Sequence, residues 1–118
     1  MDNDGDYDLI LNNHNDVPSK LFWNDGDGTF TKNDSDLSLW KLMDLHGSAA
    51  GDYDNDGDLD LLMTLGGGNG TNPTPPVFYK NNNGVLERSD AAVGIIEGAR
   101  GRSPRWADLD YDGDLDLI

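Results

Sequence analysis

The chain has no cysteine, only two histidines (His14 and His46), and only two glutamates (Glu87 and Glu97) among its 23 acidic residues. Without cysteine there is neither a disulfide framework nor a thiolate metal site, and cysteine usage says nothing about redox compartment. Basic residues are scarce as well: eight lysines and arginines leave a net charge of −15. A surface this acidic does not attract DNA, RNA or anionic lipid through charge, so no nucleic-acid partner is expected. No apolar run reaches the roughly 18 residues that a membrane-spanning helix needs, so no membrane insertion is expected. Met1-Asp2-Asn3-Asp4 has neither the basic nor the apolar segment of a leader; an export signal would lie outside these 118 residues.

What the chain has in abundance is aspartate, 21 copies of it. Aspartate favours turns and ligand positions over helices, and no segment shows convincing helical periodicity. The aspartates are also periodic. Asp52-Tyr53-Asp54-Asn55-Asp56-Gly57-Asp58-Leu59-Asp60-Leu61-Leu62 is nearly restated as Asp108-Leu109-Asp110-Tyr111-Asp112-Gly113-Asp114-Leu115-Asp116-Leu117-Ile118. Asp2-Asn3-Asp4-Gly5-Asp6-Tyr7-Asp8-Leu9-Ile10 gives the same pattern without its opening position. Between the loops, Leu21-Phe22-Trp23-Asn24 before Asp25-Gly26-Asp27-Gly28-Thr29-Phe30 corresponds to Val77–Asn81 before Asn82-Asn83-Gly84-Val85-Leu86. Each is a strand, a tight turn and a strand.

The expected architecture is therefore all-β, with about four short antiparallel strands per repeat and an aspartate loop between strands. The repeats are read as residues 1–52, 53–107 and the start of another at 108–118. Leu59, Leu61, Met63 and Leu65 predict a strand buried chiefly on one face. The segment 37–45 is read as an inter-strand connection with apolar anchors, and 66–76 as a flexible insertion between two strands. Four-stranded units of this period are the blades of β-propellers, and two blades cannot close a ring. A segment of a longer chain and a ring closed by several copies both fit.

The loops predict calcium. A hard cation takes six to eight oxygens, and carboxylates at alternate positions of a tightly bent loop converge on one point. Three loops hold 14 of the 23 acidic side chains, and such density is unfavourable unless a cation sits at the centre. The expected ligands are Asp52, Asp54, Asp56, Asp58 (through its carbonyl) and Asp60, then Asp108, Asp110, Asp112, Asp114 and Asp116. The first loop keeps Asp2, Asp4, Asp6 and Asp8 but lacks the opening ligand. An EF-hand is excluded because position twelve counted from Asp52 is Met63 and a strand, not a helix, follows.

Gly51–Leu62, with the turn Asn24–Phe30, resembles the FG-GAP/VCBS repeats of integrin-like β-propellers. The resemblance implies that the loop joins the first strand of a blade to the second, that the ions are structural, and that the protein is extracellular or on the cell surface. It implies an adhesion or structural module with a protein or glycan partner. A carbohydrate-binding lectin on the same scaffold and a non-catalytic segment of a larger secreted enzyme are the alternatives.

No enzyme is predicted. His14 and His46 have no partner at ligand spacing, so no zinc site is expected from the pattern, and Ser48 near His46 forms no hydrolase motif. Trp23 and Trp106 are read as core more than as sugar platforms; Trp40 is the aromatic whose loss would test the lectin. Arg100, Arg102 and Arg105 are read as a solvated basic cluster, and Asn33-Asp34-Ser35 and Asn69-Gly70-Thr71 are formal glycosylation sequons.

Overall fold

The computed structural model describes residues 1–14, 18–33, 44–66, 74–98 and 101–118. The expectations for Trp40, Arg100, the sequon at Asn69 and most of the segments 37–45 and 66–76 fall outside the described residues.

Among the described residues, nine antiparallel strands form three sheets. The first sheet is β1 (Leu9–Leu11), β2 (Lys20–Asn24) and β3 (Phe30–Lys32), in that order. The second is β4 (Leu45–Gly51), β5 (Asp60–Leu65), β6 (Val77–Asn82) and β7 (Val85–Arg88), again in chain order. The third pairs β8 (Trp106–Ala107) with β9 (Asp116–Leu117). A 3₁₀ turn, Asp90–Ala92, follows β7. The described residues thus form an all-β, meandering architecture of propeller-blade type, with no closed ring.

Among the described residues, the second sheet alone has four strands. In it the aspartate loop joins β4 to β5, and in the third sheet the equivalent loop joins β8 to β9. In the first sheet the loop at residues 2–8 leads into β1. The turn between β6 and β7 is a two-residue hairpin with Asn83 at φ 52° and Gly84 at φ 86°, the left-handed pair that matches strand twist. The turn between β2 and β3 is longer. Asp25 N–H donates to Thr29 O at 3.0 Å, and Thr29 Oγ1 bonds both Asp25 and Asp27.

One expectation is corrected. Strand β5 is buried on both faces, because Leu61, Leu62 and Met63 are all fully enclosed and Leu59 is not. Register explains why. Leu61 pairs with Tyr79 and Met63 with Val77, while Leu62 pairs with Phe78. The first set packs with Met1, Leu21, Leu45 and Leu86, reaching Ile10 and Trp23 of the first sheet. On the other side, Tyr53 meets Phe78 edge-on at 5.1 Å and lies 6.4 Å from Trp106, which precedes the third loop. A strand sandwiched between two neighbouring sheets reads as a continuous apolar run rather than an alternation.

Gly51, the last residue of β4, is buried where the sheets approach most closely. A Cβ there would lie 2.5 Å from Trp106 Cδ1 and 2.7 Å from Cγ. The indole also donates to Ala49 O at 3.3 Å. Trp106 is therefore a packing residue between the second and third sheets.

Candidate metal-binding loops

The aspartate loops share several hydrogen bonds set by position. In the second loop Asp52 accepts from Asp56 N–H and Gly57 N–H, both at 3.0 Å. Asp56 Oδ1 accepts from Asp58 N–H at 3.0 Å. In the third, Asp108 accepts from Gly113 N–H at 3.1 Å and Asp112 from Asp114 N–H at 2.9 Å. Gly57 sits at φ 95°, with Gly5 and Gly113 at 99° and 97°. Only glycine takes that backbone region without strain, and it turns the chain so that the carboxylates face inward.

The closing aspartate ties the loop to its sheet. Asp60 Oδ2 accepts from Tyr53 N–H at 3.1 Å, and Asp116 Oδ2 accepts from Leu109 N–H at 2.9 Å. Asp8 occupies the same position and pairs with the Met1 nitrogen. Its other oxygen accepts from Asn24 N–H at 3.0 Å, as Asp60 Oδ1 accepts from Asn81 N–H at 2.8 Å. The amides of Asn24 and Asn81 in turn donate to Tyr7 O at 3.2 Å and Leu59 O at 3.1 Å. The first loop thus shares the scaffold of the second although its opening position is missing.

These constraints bring carboxylate oxygens together. One oxygen each from Asp52, Asp54 and Asp60 lies within 4.8 Å of the others, and Asp108, Asp110 and Asp116 repeat the arrangement. Asp2, Asp4, Asp6 and Asp8 form no such group among the described residues. Asp60 is fully buried. Burial pushes its carboxyl above the ordinary value, opposed by the N–H donors of Asn81 and Tyr53 and reinforced by the charges of Asp54 and Asp56. Asp108 Oδ1 is enclosed and has no hydrogen-bond partner. A donor set made only of oxygens suits a hard cation such as calcium.

Asp58 does something the sequence did not reveal. Its carboxylate accepts from Asn83 N–H at 2.6 Å and from the Asn3 amide of the preceding loop. Asn55 makes the equivalent bond to Asp114 of the following loop at 3.0 Å. Asn3 and Asn55 both have positive φ, 65° and 58°, which asparagine tolerates better than most residues. The carboxylates of Asp58 and Asp114 are thus each engaged by an asparagine of the preceding loop.

Lys80 was likewise not singled out. Its ammonium pairs with Asp54 and lies 3.2 Å from Asp56 Oδ2. The hydrogen bonds to Asp54 and Asp56 push its pKa up, and the bond from Asp58 N–H pulls that of Asp56 down. The signal in the sequence was a lone lysine on a strand whose counterpart in the first repeat is Trp23.

The remaining candidates are placed as follows. Trp23 packs against the core and Trp106 between sheets, so neither is a free sugar platform. Ser48 Oγ accepts from the Asn12 amide at 3.0 Å. Arg102 and Arg105 are exposed. His14 and His46, which the sequence left unpartnered, both converge on Asp44.

Sheet order and loop placement define a repeat of β-propeller-blade type with an acidic loop between its first two strands. The FG-GAP-like repeat profile matches residues 1–63, more than half of the chain, and the protein belongs to that family. No curated protein and no solved structure matches it.

Proposed function

We infer that this chain is a calcium-binding structural or adhesion module, in which ions held by the loops 52–60 and 108–116 rigidify the connections between strands. The observation that carries the reading is the convergence of Asp52, Asp54 and Asp60 within 4.8 Å, repeated by Asp108, Asp110 and Asp116. Asp56 and Asp112 join as further side-chain ligands, and Asp58 and Asp114 through their carbonyls. Asp2, Asp4, Asp6 and Asp8 form no converging group among the described residues, which ranks the first loop behind the other two. Extracellular modules bind calcium at about 10⁻⁴–10⁻³ M, and a location outside the cell, where calcium is millimolar, goes with this function. Further blades complete the ring and present the surface that meets a protein or glycan.

The chemistry assigned to the ion is electrostatic and mechanical, with no reaction step. It neutralises carboxylates that repel one another and fixes loops that have little apolar burial of their own. Binding to the folded state alone adds about 2.7 kcal/mol per site at 100 times Kd, a large increment against typical domain stabilities of about 5–15 kcal/mol. Calorimetric titration with calcium chloride tests this. Two sites are expected, one lost in Asp54→Asn and the other in Asp110→Asn. Heats that are unchanged by both substitutions would overturn the assignment.

A further inference from the structure

The geometry points to a second metal site of different chemistry: His14, Asp44 and His46 form a site for a transition-metal ion of the zinc class. It lies at the opposite end of β4 from the second aspartate loop. His46 and Asp52 are six residues apart along an extended strand, which is about 20 Å.

Three side chains meet there, His14 from the segment after β1, Asp44 just before β4 and His46 within it. His14 Nδ1 is 2.5 Å from Asp44 Oδ1, and His46 Nε2 is 3.2 Å from the same oxygen. One ligand atom from each lies within 4.8 Å of the others, and the two imidazoles are 5.6 Å apart, centre to centre. The backbone fixes the approach, because Leu45 N–H, next to Asp44, donates to Asn13 O, next to His14, at 3.3 Å.

The surroundings go beyond what a surface ion pair requires. Asp44 is held at φ 61°, in the left-handed region that aspartate tolerates better than most residues. Gly66 donates its N–H to Asp44 O at 2.8 Å, and any Cβ on it would strike both Asp44 Oδ2 and His46 Nε2. The His46 side chain is only 5% exposed, and its Nδ1 has no hydrogen-bond partner. His14 is 63% exposed, which gives an ion a way in.

Two imidazoles and one carboxylate with an open position form a donor set for zinc and its neighbours, whereas calcium prefers oxygen throughout. Tetrahedral bonds of about 2.0–2.1 Å place ligand atoms roughly 3.3 Å apart. The separation of 3.2 Å between His46 Nε2 and Asp44 Oδ1 already fits. His14 has to withdraw by less than about 1 Å, a movement open to an exposed side chain. Water fills the fourth position. The sequence pattern argued against zinc because neither histidine has a partner at ligand spacing; the contact between the segment after β1 and the start of β4, through Leu45 N–H and Asn13 O, brings them together.

The test is calorimetric titration of the full chain with zinc chloride in millimolar calcium chloride, which keeps the aspartate loops occupied. One zinc per chain is expected, with affinity falling at least about tenfold in His14→Ala and unchanged in Asp54→Asn. His14→Ala is an exposed change that keeps the fold, as its circular dichroism checks; Asp44→Asn is the second variant. Cobalt chloride should give visible absorption bands of tetrahedral intensity in the wild type and not in either variant. Zinc heats that are equal in wild type and His14→Ala, or that follow Asp54→Asn instead, would refute the site. The calcium assignment rests on other residues and stands or falls on its own titration.

Discussion

Asp60→Asn separates the structural role of the closing aspartate from its proposed role as a ligand. Asp60 is fully buried and its two oxygens accept from two backbone groups, Tyr53 N–H at 3.1 Å and Asn81 N–H at 2.8 Å. Asparagine has one oxygen, so one of those donors must face an NH₂ group. An unsatisfied buried donor costs about 1–3 kcal/mol. Against this, the substitution removes a buried charge beside Asp54 and Asp56, whose repulsion already pushes the Asp60 carboxyl upward. In chelator the two effects oppose, and a net loss of about 0–2 kcal/mol is expected. In calcium at about 100 times the wild-type Kd, the wild type gains about 2.7 kcal/mol at this loop. A variant weakened 100-fold gains only about 0.4 kcal/mol there. The penalty should therefore be about 2 kcal/mol larger in calcium than in chelator, or roughly 8–10 °C in melting temperature for a domain of this size. Thermal melts of both proteins in both buffers measure that difference. Equal penalties in the two conditions would show that Asp60 only staples the loop, and the ligand assignment would fail with it.

Other outcomes follow from neighbouring features. Lys80→Gln removes an ammonium that competes for Asp54 and Asp56, so calcium affinity at the second loop should rise a few-fold by calorimetry, and a fall would refute competition. Gly51→Ala drives a methyl to 2.5 Å from the Trp106 ring; a loss of about 1–3 kcal/mol and altered tryptophan fluorescence are expected, and a neutral result would remove the close contact between sheets. The pH dependence should invert with calcium. Burial raises the carboxyl of Asp60 above its ordinary value of 3.8, so the folded state keeps that proton to higher pH than the unfolded state. Its contribution is full below 3.8 and fades as pH rises through the folded value. In chelator the stability of wild type relative to Asp60→Asn should fall across that window; in calcium it should rise, because the ion displaces the proton. The same slope in both buffers would contradict the linkage.

The loops were legible because their signal is local. Alternate carboxylates and a glycine at a fixed place specify a bend whatever surrounds it, and Asn83-Gly84 specifies its hairpin in the same way. The family and blade-type strand order followed from repetition of those pieces. What failed to show was set by pairing between distant segments. The double burial of β5 depends on what covers each face of Leu61 and Leu62, and a strand's own alternation cannot report a neighbour on its second side. The meeting of His14 with Asp44 and His46 depends on the register between repeats. Lys80 is an ordinary strand lysine until β6 is laid beside the second loop. Asn3 and Asn55 read as turn residues, and nothing local says that their amides reach into the next repeat.

Those two asparagines make the loops interlock like pieces of one kit. The first two loops carry an amide donor at the fourth position of the full motif, facing forward, and the second and third accept it at the seventh: Asn3 to Asp58, then Asn55 to Asp114. A blade exchanged within this chain keeps both contacts when its asparagine finds an aspartate ahead and its aspartate an asparagine behind. The third loop has Tyr111 in the donor position, so it accepts the coupling without handing it on through an amide. The order in which blades can be stacked is thus written in two positions of a loop whose other residues serve the ion.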